Sequence, residues 1–286
     1  MKHNRPAYLL IAPYLLHFSV FIGFPLVFSF VLIFHRWDII SPMEWVGLKN
    51  VHRLIHDRLF WQALWNTAVF LFLHIPLQIV VALFLAVQLN QRIALRGFFR
   101  AAFFVPVIVS GVVIAILWDK LMAYDSGLIN HFLASIGLPK IGWLIDHRLA
   151  MPSIALVATW KNVGLYIVLF LVGLQGVPRH LYEAADIEGA SGWQKFWNIT
   201  LPMINPTVYL VVILSTIGGF SLFIEPYIMT GGGPLNRTLS ALLYIYKQGF
   251  FFYHMGYAAT LGFAFAMLVM LVVLIQRKLI EQEVGY

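Results

Sequence analysis

Residues Leu181–Pro202 read LYEAADIEGASGWQKFWNITLP, and the organisation of the chain turns on this run. It lies between two long apolar segments and carries Glu183, Asp186 and Glu188, three of only twelve acids in the protein. The pattern predicts two short helices with a break between them. Pro178 suits a first helical turn, Glu183 and Asp186 are placed to complement a positive helix end, and Gly189 with Ser191 and Gly192 supplies the break. Trp193, Phe196 and Trp197 follow at i, i+3 and i+4, so the second helix has one strongly apolar face, expected to anchor against the neighbouring spans.

The flanking sequence is lipid-like. Of 286 residues, 11% are charged and 61% hydrophobic, against about a quarter charged in soluble domains. A soluble domain of this size cannot hide so much apolar side chain. The absence of cysteine excludes disulfides, thiolate metal sites and a cysteine nucleophile. The formal charge of +7 is spread over separate loops, so anionic headgroups are the expected counterpart and nucleic acid is not.

Six apolar stretches have the length of membrane spans, at about 7–34, 63–89, 101–118, 152–174, 206–228 and 257–275. The first begins like a signal peptide but exceeds the about 7–15 apolar residues of one, and no small-residue cleavage site follows. It reads as a retained span, with Pro13 or Pro25 as places to bend. An even number of spans puts both termini on one side. With the termini cytoplasmic, Lys2, Arg5, Arg92, Arg96, Arg100, Arg179, Lys195, Arg277 and Lys278 face inward, and equally many basic residues lie in the outer loops. The short segment from Asn90 to Arg100 holds three arginines and no acid, which favours cytoplasmic termini. The whole is a single transmembrane domain, residues 1–286.

Glu183-Ala184-Ala185, followed by Gly189 and closed by Ile199-x-Leu201-Pro202, resembles the cytoplasmic EAA loop of membrane subunits of binding-protein-dependent ABC importers. Glu188 stands where that family usually has Asp and keeps the charge. The resemblance implies an all-α polytopic fold of six helices, the type I (MetI-like) permease. It also implies a coupling role for Glu183, Ala184, Ala185, Glu188 and Gly189, which would seat in a cleft of the ATPase subunit. The alternative for the loop is an amphipathic segment resting on headgroups. A second motif is Met229-Thr230-Gly231-Gly232-Gly233-Pro234. Three glycines before a proline cannot continue a helix, so a tight extended turn must follow the fifth span. With Trp160 and the opening Ala12-Pro13-Tyr14-Leu15, this resembles the maltose and glycerol-phosphate permease type over essentially the whole chain, in its minimal six-span form.

Polar groups inside spans are costly in lipid and mark either a path or a partner. Lys161 and Asn162 in the fourth span and Glu225 in the fifth are such groups. Placed against maltose-type permeases without gaps, Lys161, Asn162, Leu165, Ser215, Gly219 and Leu222 correspond to the sugar site, although Gly219 and Leu222 have no side-chain hydrogen-bonding group. Glu225 joins them as a candidate for the substrate path. Against a substrate role, Lys161 and Glu225 can form an ion pair or reach the headgroups, and Ser215 and Ser221 can serve helix packing or bond back to a carbonyl. His74 and Gln78 share a helix face beside Pro76, where an interhelical bond is the alternative to a proton relay.

No Gly-x-x-x-x-Gly-Lys-Ser/Thr run cradles nucleotide phosphates, and the ten histidines show no metal spacing. The chain is therefore expected to hold no cofactor and to be no enzyme, with ATP and Mg bound by a partner. The resemblance implies a second permease subunit, an ABC ATPase dimer, an extracytoplasmic solute-binding protein and a sugar substrate, all at the bacterial cytoplasmic (inner) membrane and its lipid bilayer. The fifth span is expected to run as one continuous element from the coupling loop to Glu225. The alternatives are an importer of the same architecture for a glycerophosphodiester or polyol, and an ion-coupled secondary transporter.

Overall fold

The computed structural model describes residues 5–91 and 94–280. Lys2 and Arg92, used in the charge count, lie outside the described residues. From the N-terminus the elements are α1 (Arg5–Phe18), a π-helical turn (Ser19–Gly23) and α2 (Phe24–Leu32), then β1 (His35–Arg36) and β2 (Glu44–Trp45), which form a short antiparallel ladder. Next come α3 (Lys49–His56), α4 (Arg58–Asn90), α5 (Arg96–Ile108), α6 (Gly111–Leu121), α7 (Leu128–Ser135) and α8 (Ala150–Gln175). The remainder is α9 (Arg179–Ile187), α10 (Gly192–Lys195), a π turn (Phe196–Thr200), α11 (Leu201–Met203), α12 (Asn205–Phe220), a π turn (Pro226–Thr230), α13 (Ala241–Tyr246), a π turn (Lys247–Phe251) and α14 (Met255–Ile280).

Leu10–Leu32, α4, α8 and most of α14 are each long and apolar enough to cross a membrane. Two bent pairs complete six spans if each counts as one: α5 with α6, bent by 98°, and Gly192–Met203 with α12, bent by 68°. The chain is an all-α polytopic membrane protein, its only strands among the described residues being the ladder of β1 and β2.

Two of the predicted spans are not straight. The third, expected over 101–118, breaks between α5 and α6, where Val109 takes extended backbone and Ser110 follows with φ −53° and ψ 130°. The fifth, expected to be continuous over 206–228, ends as a helix at Phe220. Helical structure resumes only at Ile224. Gly218 and Gly219 weaken the helix ahead of the break. Ser221 turns its hydroxyl back to the carbonyl of Ile217 (3.1 Å), and Ser240 donates to the carbonyl of Leu222 (2.6 Å). A break at membrane depth is tolerated when protein groups satisfy the freed backbone in this way.

The chain divides into two compact units, one of residues up to Trp61 with Tyr244–Leu268, the other of Gln62–Leu243 with the chain from Val269 onward. In the first unit, Asn50 of α3 donates to the carbonyls of Ile33 and His35 (2.9 Å each), tying the β1–β2 ladder to α3. Asp57 caps α4 by accepting from the backbone N–H groups of Leu59 and Phe60, and its other oxygen accepts the hydroxyls of Tyr244 (2.6 Å) and Tyr257 (2.5 Å). Burial acts to raise the Asp57 carboxyl, and these hydrogen bonds together outweigh it and hold the group below its ordinary value.

The second unit is built on α8. Of the apolar window of α8, 61% is buried, against 6% for Leu10–Leu32, so α8 is the helix that other spans pack around. A Cβ on Gly164 would collide with the carbonyl oxygen of Phe103 in α5, and only glycine permits that approach. Tyr166, Ile167, Phe170 and Leu171 of α8 pack with Ala82 and Ala86 of α4 and Val211 of α12 in one core cluster. Between α6 and α8, fully buried Asn130 organises the connecting loop. Its amide nitrogen donates to the carbonyls of Tyr124 and Ile141, and its oxygen accepts from the backbone of Ile141 and the indole of Trp143.

Candidate functional site

The loop after α8 folds as two short helices, with local chemistry that differs from the sequence expectation in three respects. Pro178 is the N-cap of α9 and lies outside its first turn. That turn holds no acid, so Glu183 and Asp186 sit too far along α9 to complement its positive end. Of the three aromatic residues, Phe196 is half-buried, whereas Trp193 and Trp197 are exposed and do not bury a face against the spans. Trp193 is 71% exposed, and the three rings pack on one another, with Trp193 and Trp197 edge to face at 5.5 Å.

Gly189 terminates α9 with a left-handed backbone (φ 75°). Its N–H donates to the carbonyl of Asp186 (3.1 Å) and the N–H of Ala190 to that of Ala185 (2.9 Å), the paired bonds of a Schellman end. Ser191 then opens α10 through a reciprocal cap with Gln194. Lys195 reaches back to Asp186 (2.5 Å), and the hydroxyls of Tyr182 and Thr200 meet at 2.9 Å, so the two helices are held to each other. Glu183, Ala184, Glu188 and Gly189 are exposed on the resulting surface with Ile187, whereas Ala185 is buried within the chain. The five sequence candidates thus divide into four surface positions and one packing position.

The second candidate lies within the second unit. A cavity of about 250 Å³ is bordered by Lys161 and Asn162 from α8, Ser215 and Gly219 from α12, and Leu222 and Glu225 from the chain after the helix break. Six of the seven predicted path residues therefore share one wall system. Leu165, the seventh, does not line the cavity and is 40% exposed. Tyr166, the next residue, lines it instead. Its spacing of four from Asn162 was the available signal. Phe70 and Ile224, also on the wall, carry no polar mark by which sequence could select them.

Inside the cavity the Lys161 ammonium and the Glu225 carboxylate form an ion pair at 3.3 Å, their side chains only 16% and 9% exposed. A Cβ on Gly111, at the start of α6, would lie 2.7 Å from the Lys161 nitrogen, so α6 closes the cation in from that side. Asn162 returns its amide nitrogen to the carbonyl of Ala158 (2.9 Å). His74 pairs through Nδ1 with the Thr159 hydroxyl (2.8 Å), and Gln78 donates to Ser215 (3.4 Å). The interhelical-bond reading of His74 and Gln78 is the arrangement observed. The cavity offers hydroxyl, amide and paired charged groups with no net charge, suited to a polar neutral solute.

A helical membrane chain with two broken spans, a polar cavity beside one break and a capped surface helix in the preceding loop has the form of a solute permease. Residues 78–285 match the family described as binding-protein-dependent transport system inner membrane component, and the chain belongs to that family. It is 36% identical to the arabinooligosaccharides transport system permease protein AraP of Bacillus subtilis, over 95% of this chain and 87% of that one. It is 37% identical to the lactose transport system permease protein LacF of Rhizobium radiobacter, over 92% and 89% of the two chains. Its fold is similar to that of a chain in a bacterial alginate ABC transporter solved with an alginate pentasaccharide-bound periplasmic protein. The TM-score is 0.85 at 22% identity, covering 97% of this chain and 94% of that one. Membership in the family makes this chain a multi-pass transport subunit and sets aside the ion-coupled carrier.

Proposed function

We propose that this chain forms half of the translocation path for a sugar in an ATP-driven importer, and that the loop containing Glu183, Ala184, Glu188 and Gly189 couples it to an ATPase. The observation that carries the reading is the cavity beside the break after α12, where Lys161, Asn162, Ser215 and Glu225 meet. It is supported by the names of the relatives, which refer to arabinooligosaccharide and lactose transport. A phosphodiester substrate would require an uncompensated cation in the path. Here Glu225 neutralises Lys161, which favours a neutral polyhydroxylated solute over a glycerophosphodiester.

In this reading a second permease chain completes the path and an ABC ATPase dimer docks on the two coupling loops. An extracytoplasmic solute-binding protein delivers sugar to the opposite face, and both termini are cytoplasmic. The lipid bilayer and the second permease cover the largely unburied first span. Closure of the ATPases moves the coupling helices, and the helix breaks at Val109–Ser110 and Ser221–Phe223 supply points where the spans bend about the cavity. ATP and Mg bind in the ATPase, with no cofactor in this chain.

The test is affinity purification of the tagged chain from its native membrane, with uptake of radiolabelled oligosaccharides compared between the parent strain and a deletion strain. The expected result is co-purification of an ATPase and a second permease, with loss of uptake of at least one neutral oligosaccharide on deletion. A chain that purifies alone, in a strain whose sugar uptake survives its deletion, overturns the proposal.

A further inference from the structure

The first unit contains a cavity of about 670 Å³ that the proposed transport path does not use. Its volume falls within the roughly 300–1,000 Å³ of small-molecule sites. The walls come from the segment between the first and second spans and from the chain leading into α14.

Five charged side chains border it: Arg36, Asp38, Glu44, Lys49 and Arg53. Glu44 is paired with Arg36. Asp38 accepts from the backbone of Ile40 and Ser41 and from the Ser41 hydroxyl, and the Ser41 bonds hold its carboxyl below the ordinary range. Lys49 and Arg53 have no carboxylate within ion-pair distance among the described residues. They sit four apart on one face of α3, where like charges are mutually unfavourable.

Arg53 is exposed on α3 and rests against a ring. Its guanidinium lies 3.9 Å from the centre of the Tyr257 ring and makes one long contact, 3.4 Å, with Gln248 Oε1. A planar fork with five N–H donors is thus turned along the Tyr257 ring, with one of them directed to Gln248 and the others open to the cavity. Trp37 and Tyr253 add aromatic surface to the same cavity. Tyr253 has φ 57°, a conformation that bulky residues rarely adopt and that concentrates at ligand-binding positions.

We infer that this cavity binds a carboxylate-bearing saccharide, with the acid on Arg53 and Lys49 and the sugar ring against Trp37 and Tyr253. A ligand with acceptors alone would satisfy the two cations but would oppose the oxygens of Asp38 and Glu44. Hydroxyls that both donate and accept, together with one carboxylate, meet both sets of groups. The site is a property of this unit and does not depend on the transport reading.

Calorimetry on the full chain, purified with the partners it retains and placed in phosphatidylcholine nanodiscs, tests this. The probes are digalacturonate and the neutral disaccharide galactobiose. Saturable binding of digalacturonate about tenfold tighter than galactobiose is expected, as is a loss of about tenfold or more on Arg53→Gln, in line with one charge-assisted contact. Because Arg53 also packs on Tyr257, Lys49→Gln at an exposed position serves as the second variant, expected to weaken binding with an unchanged melting temperature. Equal binding of the two sugars, no binding, or binding undiminished in both variants overturns the inference. Loss of binding when phosphatidylglycerol is added to the discs assigns the cations to lipid and overturns it as well.

Discussion

Replacing Glu225 by Leu leaves the Lys161 ammonium enclosed without its counter-charge. At 3.3 Å and an effective dielectric of about 20, the Coulomb attraction is about 5 kcal/mol, and breaking a buried pair by removing one partner costs about 3–5 kcal/mol. Both estimates agree that Glu225→Leu should destabilise the protein by about 3 kcal/mol or more. Lys161→Met should cost a similar amount by stranding the carboxylate. The double variant Lys161→Met/Glu225→Leu replaces both charges with apolar groups and should recover most of the loss. The measurement is a double-mutant cycle, with unfolding followed by tryptophan fluorescence as a denaturing detergent is added to the purified protein. A coupling energy above about 1 kcal/mol is expected for groups in direct contact. Single-variant losses that add to within about 0.5 kcal/mol would mean that Lys161 escapes to the headgroups, and would refute the enclosed pair.

Gly111→Ala places a Cβ 2.7 Å from the Lys161 nitrogen and 3.1 Å from Ile224 Cδ1, so the ammonium must shift beside Glu225. Its stability loss should be smaller in the Lys161→Met background, where only the crowding of Ile224 remains, and an equal loss in both backgrounds counts against this geometry. Gly189→Ala should cost about 1 kcal/mol for its left-handed backbone. Gly189→Asp, whose Cβ meets nothing in the chain, should remain in the membrane yet abolish transport, and normal uptake by that variant would sink the coupling role. Asn130→Ala removes four hydrogen bonds at a buried site and should cost about 2–4 kcal/mol, read as faster proteolysis between α6 and α8. Unchanged cleavage would deny Asn130 its organising part. Asp57 has a folded pKa below its ordinary 3.8, so its contribution is present above that value and is lost as pH falls through the folded value. The melting-temperature gap between wild type and Asp57→Asn should be constant above about pH 5 and shrink toward pH 3, and a gap that widens in acid has the wrong sign.

Before any coordinates, the amino-acid sequence determined the membrane class, six apolar stretches, the exposed helix around Glu183 and its stop at Gly189. These depend on local composition and on one backbone conformation that glycine adopts freely. The membrane cavity was legible in part, because polar residues in an apolar span announce themselves. Leu165 and Tyr166 show the limit: an ungapped register selects a position to within one residue, but one residue turns a helical side chain by about 100°. Only the tertiary structure revealed that two spans are broken, since the freed carbonyl of Leu222 is satisfied by Ser240, distant in sequence. It also decided the fate of the aromatic trio, whose rings pack on one another with Trp193 and Trp197 left exposed. The Arg53 cavity was likewise hidden. Its members come from segments about two hundred residues apart in sequence, and which cations remain uncompensated depends on where every acid finally points.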